Sequence, residues 1–200
     1  MHISDGILSS EVVITTSLIS VGFLIYSLKN LKNRKIALIA AMGAIFFISS
    51  FIHIPLGPTQ IHLVLIGVIG IVIGSSVFFA ILIALLLQAL LLGYGGISSI
   101  GVNVFIMATP AFIIYLLTKY RFLNFFNEKI KYFLIGAIPV LVSTLFLALV
   151  LAFSKQEYEY ASYTIILANL PAVVIEGFIT IFLINYIKKS MPELLKEVNL

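Results

Sequence analysis

Apolar residues in this chain come in long runs separated by short polar stretches, and seven of the runs have helix length. They cover roughly Val12 to Leu28, Ile36 to Ile54, His62 to Gly74, Val77 to Leu92, Val102 to Leu117, Phe133 to Phe153 and Ile165 to Ile187. A helix that crosses a bilayer takes ~20 apolar residues, with ~17 near the lower limit. The third run is too short for that. It predicts a tilted or partly re-entrant helix, or a boundary lying inside the fourth.

The polar stretches carry a charge asymmetry. Lys29, Lys32, Arg34 and Lys35 follow the first run, Lys119, Arg121, Lys129 and Lys131 the fifth, and Lys188, Lys189 and Lys196 the seventh. With seven crossings these share one side, and of the twelve Lys and Arg only Lys155 falls on the other. The positive-inside rule makes the basic side the cytoplasm. The N-terminus is then outside, together with Asp5, Glu11, Glu157 and Glu159, and the C-terminus is cytoplasmic. A secretory signal carries its positive residues ahead of its apolar stretch, and nothing before Val12 is basic. The first run therefore reads as an uncleaved anchor with an exported N-terminus.

Composition removes other classes. Of the residues, 62% are hydrophobic and 10% charged, too few polar groups to cover a soluble fold. The net charge of +4 does not form a nucleic-acid patch, because the bases flank apolar runs. There are no cysteines, which excludes disulfides and thiolate metal sites. The expectation is an all-α polytopic transmembrane bundle of about seven helices in the plasma (inner) membrane. Residues 1–200 form one integral membrane domain, with an extracytoplasmic segment at 1–11, the bundle at 12–187 and a cytoplasmic tail at 188–200. Small residues at Gly67, Gly70 and Gly74, and the pairs Ala37/Ala41 and Ala40/Ala44, allow close helix approach inside the bundle or against another membrane subunit.

Candidate chemistry is confined to few residues. The three histidines, His2, His53 and His62, all fall at the outer face. Each alone fits a wet membrane boundary, yet imidazole is also a common metal ligand. His2 is informative through its position. The Met1 amine, the His2 amide nitrogen and the His2 ring Nδ1 can bind one ion through a five-membered and a six-membered chelate ring. A fourth nitrogen from His62 completes a tetragonal site of the kind that suits nickel(II) or copper(II). The amide must lose its proton, so affinity falls in acid, while calcium and magnesium, which seek oxygen, fit poorly.

Glu176 lies midway along the seventh run, where a charge costs roughly 2.5–3.5 kcal/mol on insertion scales. It reads first as a hydrogen-bonded helix clamp and second as a metal relay. Gln88, Asn103 and Asn169 read as interhelical hydrogen bonds, with Asn103 placed to support the outer site. The stretch Gly93-Tyr94-Gly95-Gly96 lacks the Gly-Lys-Ser/Thr ending of a phosphate loop.

The start Met1-His2-Ile3-Ser4-Asp5-Gly6-Ile7-Leu8 resembles that of the CbiM/NikM family, the substrate-binding membrane subunits of energy-coupling factor transporters for cobalt and nickel. The resemblance continues through His53-Ile54-Pro55-Leu56-Gly57-Pro58-Thr59-Gln60-Ile61-His62-Leu63, Leu87 to Gly96, Gly101 to Met107 and Pro171 to Gly177. It implies a seven-helix bundle with the N-terminal strand tucked into the outer face, and metal held by the Met1 amine, the His2 amide and ring, and His62. It also implies partners: a transmembrane coupling subunit, two ATPase subunits and often a small accessory membrane protein, with no cofactor of the chain's own beyond the transported cobalt(II) or nickel(II). Better-known members often have Asn and a more Gly-rich loop where this chain has His53 and Leu-Gly-Pro-Thr. That departure makes His53 a candidate supporting donor or extra ligand. Two rivals stand beside this reading: a stand-alone channel or secondary transporter for another solute, and a metal-dependent membrane enzyme. Against the enzyme, no HExxH-like pair occurs and the intramembrane acids are scattered.

Overall fold

The computed structural model describes residues 2–31, 35–56, 59–198 and 200, with the side chains of residues 53–61 excepted. Seven helices are present: α1 (Ser10–Lys29), α2 (Ile36–Ser49), α3 (Ile66–Ile73), α4 (Val77–Leu92), α5 (Ile100–Lys119), α6 (Glu128–Ser154) and α7 (Glu159–Ser190). A short hairpin, β1 (His53–Leu56) and β2 (Thr59–His62), joins α2 to α3, and a 3-10 segment at Pro192–Val198 ends the chain. The all-helical bundle expected from the apolar runs is what forms. Among the described residues five stretches are long and apolar enough to cross a membrane.

The second and third runs depart from expectation. Helix α2 stops at Ser49 rather than Ile54, and the loop between His53 and His62 is an antiparallel hairpin with His53 opposite His62 in Cα register. Pro55 and Pro58 disfavour helix in this loop, since proline lacks an N–H and pushes its predecessor away from helical geometry. The third run, expected over His62 to Gly74, is helical only over the eight residues of α3, about 12 Å of rise. Its approach from His62 is non-helical.

Packing fixes its direction. A Cβ on Gly70 would overlap the Ala111 carbonyl, and Gly74 meets the Tyr115 ring, so α3 runs parallel to α5. Conversely, Phe78 packs on Phe112 (ring centres 5.6 Å apart) and Gly95 lies beside Asn103, so α4 runs antiparallel to α5. The chain therefore reverses at Gly74, whose φ of +58° is glycine territory. The continuous apolar stretch Ile66–Leu92 therefore folds back on itself, with a short buried α3 followed by the longer α4, the re-entrant form among those expected for the third run. All eight residues of α3 are buried, against α5 and α6 chiefly.

Glu176 on α7 is 1% exposed and accepts hydrogen bonds from the backbone N–H groups of Val64 and Leu65, at 3.2 Å for the latter. This is the clamp geometry. It satisfies two amides in the non-helical approach to α3, which have no helical partner.

The two ends of the bundle differ in chemistry. At one end Lys35 pairs with Glu197 of the terminal segment at 2.5 Å, and Lys188 donates to Tyr132 (2.6 Å) and Glu128 (3.1 Å). Leu195 and Val198 are buried there. At the other end lie His2, the hairpin and the Gly93–Ser99 connection. The N-terminal and C-terminal segments thus occupy opposite ends.

Gly70→Ala is expected to destabilise the bundle by about 1–3 kcal/mol through overpacking against the Ala111 carbonyl. Gly22→Ala, where nothing lies within 4 Å of a new Cβ, should leave stability unchanged. Unfolding of the two variants in detergent micelles separates these outcomes.

Candidate metal centre

The N-terminal segment is held to the bundle by its own backbone. Ile3 donates its N–H to Asn103 Oδ1 (2.9 Å), and its carbonyl accepts from Asn103 Nδ2 (3.0 Å) and from the Ser99 hydroxyl (2.8 Å). The Ile3 side chain is 3% exposed, and Asn103 is 2% exposed. Two residues on, the Asp5 carboxylate accepts from the Ser99 N–H (2.9 Å) and the Ser98 hydroxyl (2.6 Å), at the start of α5. Such an approach needs bare backbone opposite it: a Cβ on Gly96 would overlap the Asp5 carboxylate, and one on Gly95 would press on the Asn103 amide at 3.0 Å. The Gly-rich connection, which has no phosphate-loop chemistry, is the seat of the N-terminal segment.

Docking places His2 over the end of α4. Its Nε2 lies 2.8 Å from Gln88 Oε1, and Gln88 is fully buried. A side-chain amide oxygen can only accept, so this bond puts the proton on Nε2 and leaves Nδ1 as the free lone pair. Nδ1 is the atom that the chelate geometry at the chain start requires. The His2 ring faces His62, with centres 5.5 Å apart and planes 23° from parallel, and Tyr94 flanks it at 6.4 Å. His62 Nδ1 lies 3.3 Å from the Leu63 carbonyl. With a metal–nitrogen bond of about 2.0–2.1 Å, two imidazoles sharing one ion have ring centres roughly 4.5–6.3 Å apart. The observed pair falls within that span.

An open cavity of about 310 Å³ exposes both rings and is lined by His2, Ser4, Ser50, His62, Gly93, Tyr94 and Gly95. Burial, reinforced by charge repulsion from His62, pushes the His2 pKa down to about 3. His2 is therefore neutral, the form that binds metal. Asp5 is held below the usual carboxylate range, first by the Ser98 hydroxyl.

Of the residues proposed from sequence, His2, His62 and Asn103 come together here. Met1 and the His53 side chain lie outside the described residues. Among the described residues no three His, Cys, Asp or Glu side chains converge into a metal-binding group. The roles of Asp5, Ser98 and Ser99 were not legible in the sequence. Gln88 was read only as an interhelical bond.

Residues 2–194 match the family described as the cobalt uptake substrate-specific transmembrane region, CbiM. The chain belongs to the CbiM family. A cobalt transport protein CbiM of Clostridioides difficile is 30% identical over 216 residues, covering 100% of this chain and 86% of the relative. A Haemophilus influenzae protein provisionally named a metal transport protein is 30% identical over 201 residues, 98% of each chain. An Archaeoglobus fulgidus protein provisionally named a fused nickel transport protein, NikMN, is 27% identical over 204 residues, 98% of this chain and 68% of its own. The crystal structure of a transition metal transporter, 22% identical, superposes with a TM-score of 0.80 over 98% of this chain and 97% of its own, which establishes a shared fold. Membership makes this CbiM-family chain a membrane protein and a transport component rather than a soluble one.

The pH dependence of the docked segment follows from His2 and Asp5. The unfolded chain takes up protons at the ordinary His and Asp values, whereas the docked segment resists both. A depressed native pKa gives stability that is present above the unfolded value and lost as pH falls toward the native one. Acidification from about pH 6.5 toward 3 should therefore release the segment. Amide exchange at Ile3 and Asp5 across that range checks this; constant protection would refute it.

Proposed function

We propose that this CbiM-family chain is the ion-capturing membrane component of an energy-coupling factor importer for cobalt(II) or nickel(II), seated in the plasma membrane with its N-terminus outside. One observation carries the reading: His2 and His62 face each other 5.5 Å apart at an open cavity, and Gln88 leaves the His2 Nδ1 free. In this proposal the Met1 amine, the His2 amide nitrogen and Nδ1, and a His62 ring nitrogen bind the ion. Asn103 and Ser99 hold the backbone that presents three of those nitrogens. His53 is a supporting donor or additional ligand.

Four nitrogens in or near one plane favour a strong Lewis acid with tetragonal preference over calcium or magnesium. A claw that fills the planar positions suits carriage of an ion better than hydrolysis, which needs an open coordination site. The sequence has no Walker motif, so accumulation against a gradient needs partners. The proposed partners are a transmembrane coupling subunit and two ATPase subunits, with a small accessory membrane protein. The basic end of the bundle, with Lys35, Lys119, Lys188 and the terminal segment, faces the cytoplasm in this topology.

An extension of one residue ahead of Met1, verified as uncleaved, turns the amine into an amide and is expected to abolish nickel(II) and cobalt(II) uptake. Uptake at the normal rate would refute the amine as a ligand. Elemental analysis of protein purified with its native start should find metal in the wild type, and little in His2→Ala or His62→Ala. Gln88→Leu, which frees the His2 tautomer, should weaken binding by about 10–100-fold. Transport in liposomes by this chain alone would instead support a channel or secondary transporter.

A further inference from the structure

Glu176 sits on α7, well over a hundred residues from His2 in sequence, and lines no part of the ion cavity. Its contacts nevertheless lead there in one step. The Val64 N–H that donates to Glu176 Oε1 belongs to the same peptide unit as the Leu63 carbonyl, and that carbonyl lies 3.3 Å from His62 Nδ1. In a trans peptide the C=O and N–H point in opposite directions from one rigid plane. A group that anchors the N–H therefore sets where the carbonyl points. Here the carboxylate holds one face of the plane and the His62 imidazole meets the other.

The neighbouring residue shows that this stretch is held rather than relaxed. Leu65 has φ of +54°, a left-handed conformation that non-glycine residues rarely adopt. Its N–H also reaches Glu176, at 3.2 Å from each carboxylate oxygen. Upstream, the Leu63 N–H donates to the Ile52 carbonyl at 3.2 Å, which ties the segment to the end of α2. His62 thus hangs between the hairpin and a buried carboxylate.

We infer that Glu176 is a positioning residue for the ion site: by holding the Val64 and Leu65 amides it fixes the peptide that orients the His62 imidazole toward His2. This rests on the reading of His2 and His62 as ion ligands. The Leu63 carbonyl can only accept, so His62 Nδ1 donates to it. Glutamine in place of Glu176 keeps one accepting oxygen but turns an amide donor toward a second donor, and alanine leaves both N–H groups without an acceptor.

The test uses the full chain with its native start in detergent, as wild type, Glu176→Gln and Glu176→Ala. It reads nickel(II) affinity, the visible d–d band of bound nickel(II), and amide exchange along the chain. Glu176→Ala should weaken nickel(II) by about 10–100-fold, shift the band and release the amides of residues 64 and 65, while α5 and α6 keep their protection. Glu176→Gln should fall between. Wild-type affinity and spectrum in Glu176→Ala would overturn the inference, as would loss of protection throughout the bundle in both variants, which marks a general stabiliser. A wild-type chain that binds neither nickel(II) nor cobalt(II) removes the ion site itself. The hold on the segment is then decided by the exchange arm alone, where unchanged protection at 64 and 65 refutes it.

Discussion

A backbone amide that enters an apolar bundle outside a helix has no water to pair with, so a side chain from elsewhere must supply the partner. This constraint organises the molecule. The chain twice runs outside helical structure into the bundle, at Ile3 and at Val64–Leu65, and each time a buried polar side chain answers it: Asn103 with Ser99 in the first case, Glu176 in the second. Those two non-helical stretches carry His2 and His62. The demand for hydrogen bonds and the placement of the imidazoles are one arrangement.

Glycine makes the arrangement possible. Seating the N-terminal segment against the α4–α5 connection needs Gly95 and Gly96, and the central position of α3 needs Gly70 against Ala111. Small residues in membrane helices are usually explained by helix–helix contact alone. In this chain Gly95 and Gly96, outside the helices, also admit the non-helical N-terminal backbone, which larger residues would exclude. The exposed ion pairs at the basic end, such as Lys188 with Glu128, contribute little by comparison.

Burial has a second consequence at the outer end. It keeps His2 neutral, and the bond to Gln88 directs its proton to Nε2. Both effects prepare a nitrogen donor without any contribution from an ion. The cost of ordering that donor is met by the Ile3 and Asp5 contacts, which belong to the fold. Under the proposed function, a site of imidazoles with no convergent carboxylates among the described residues suits transition ions better than calcium.

The amino-acid order by itself determined the membrane bundle, the seven helices, the basic end and the His2/His62 candidates, because each is written in local runs of apolar or charged residues. Helix α4 was readable to its last residue. The hairpin and the brevity of α3 are only half legible: the third run is visibly too short, but no local pattern announces the pairing of His53–Leu56 with Thr59–His62. Tertiary structure alone decided that Gln88 meets His2, that Asn103 clasps Ile3, that Asp5 seats on Ser98 and Ser99, and that Glu176 reaches Val64. The physical reason is distance along the chain. A lone polar residue in an apolar helix announces that it needs a partner, but which of several candidates it finds depends on how the helices pack, and no local pattern encodes that.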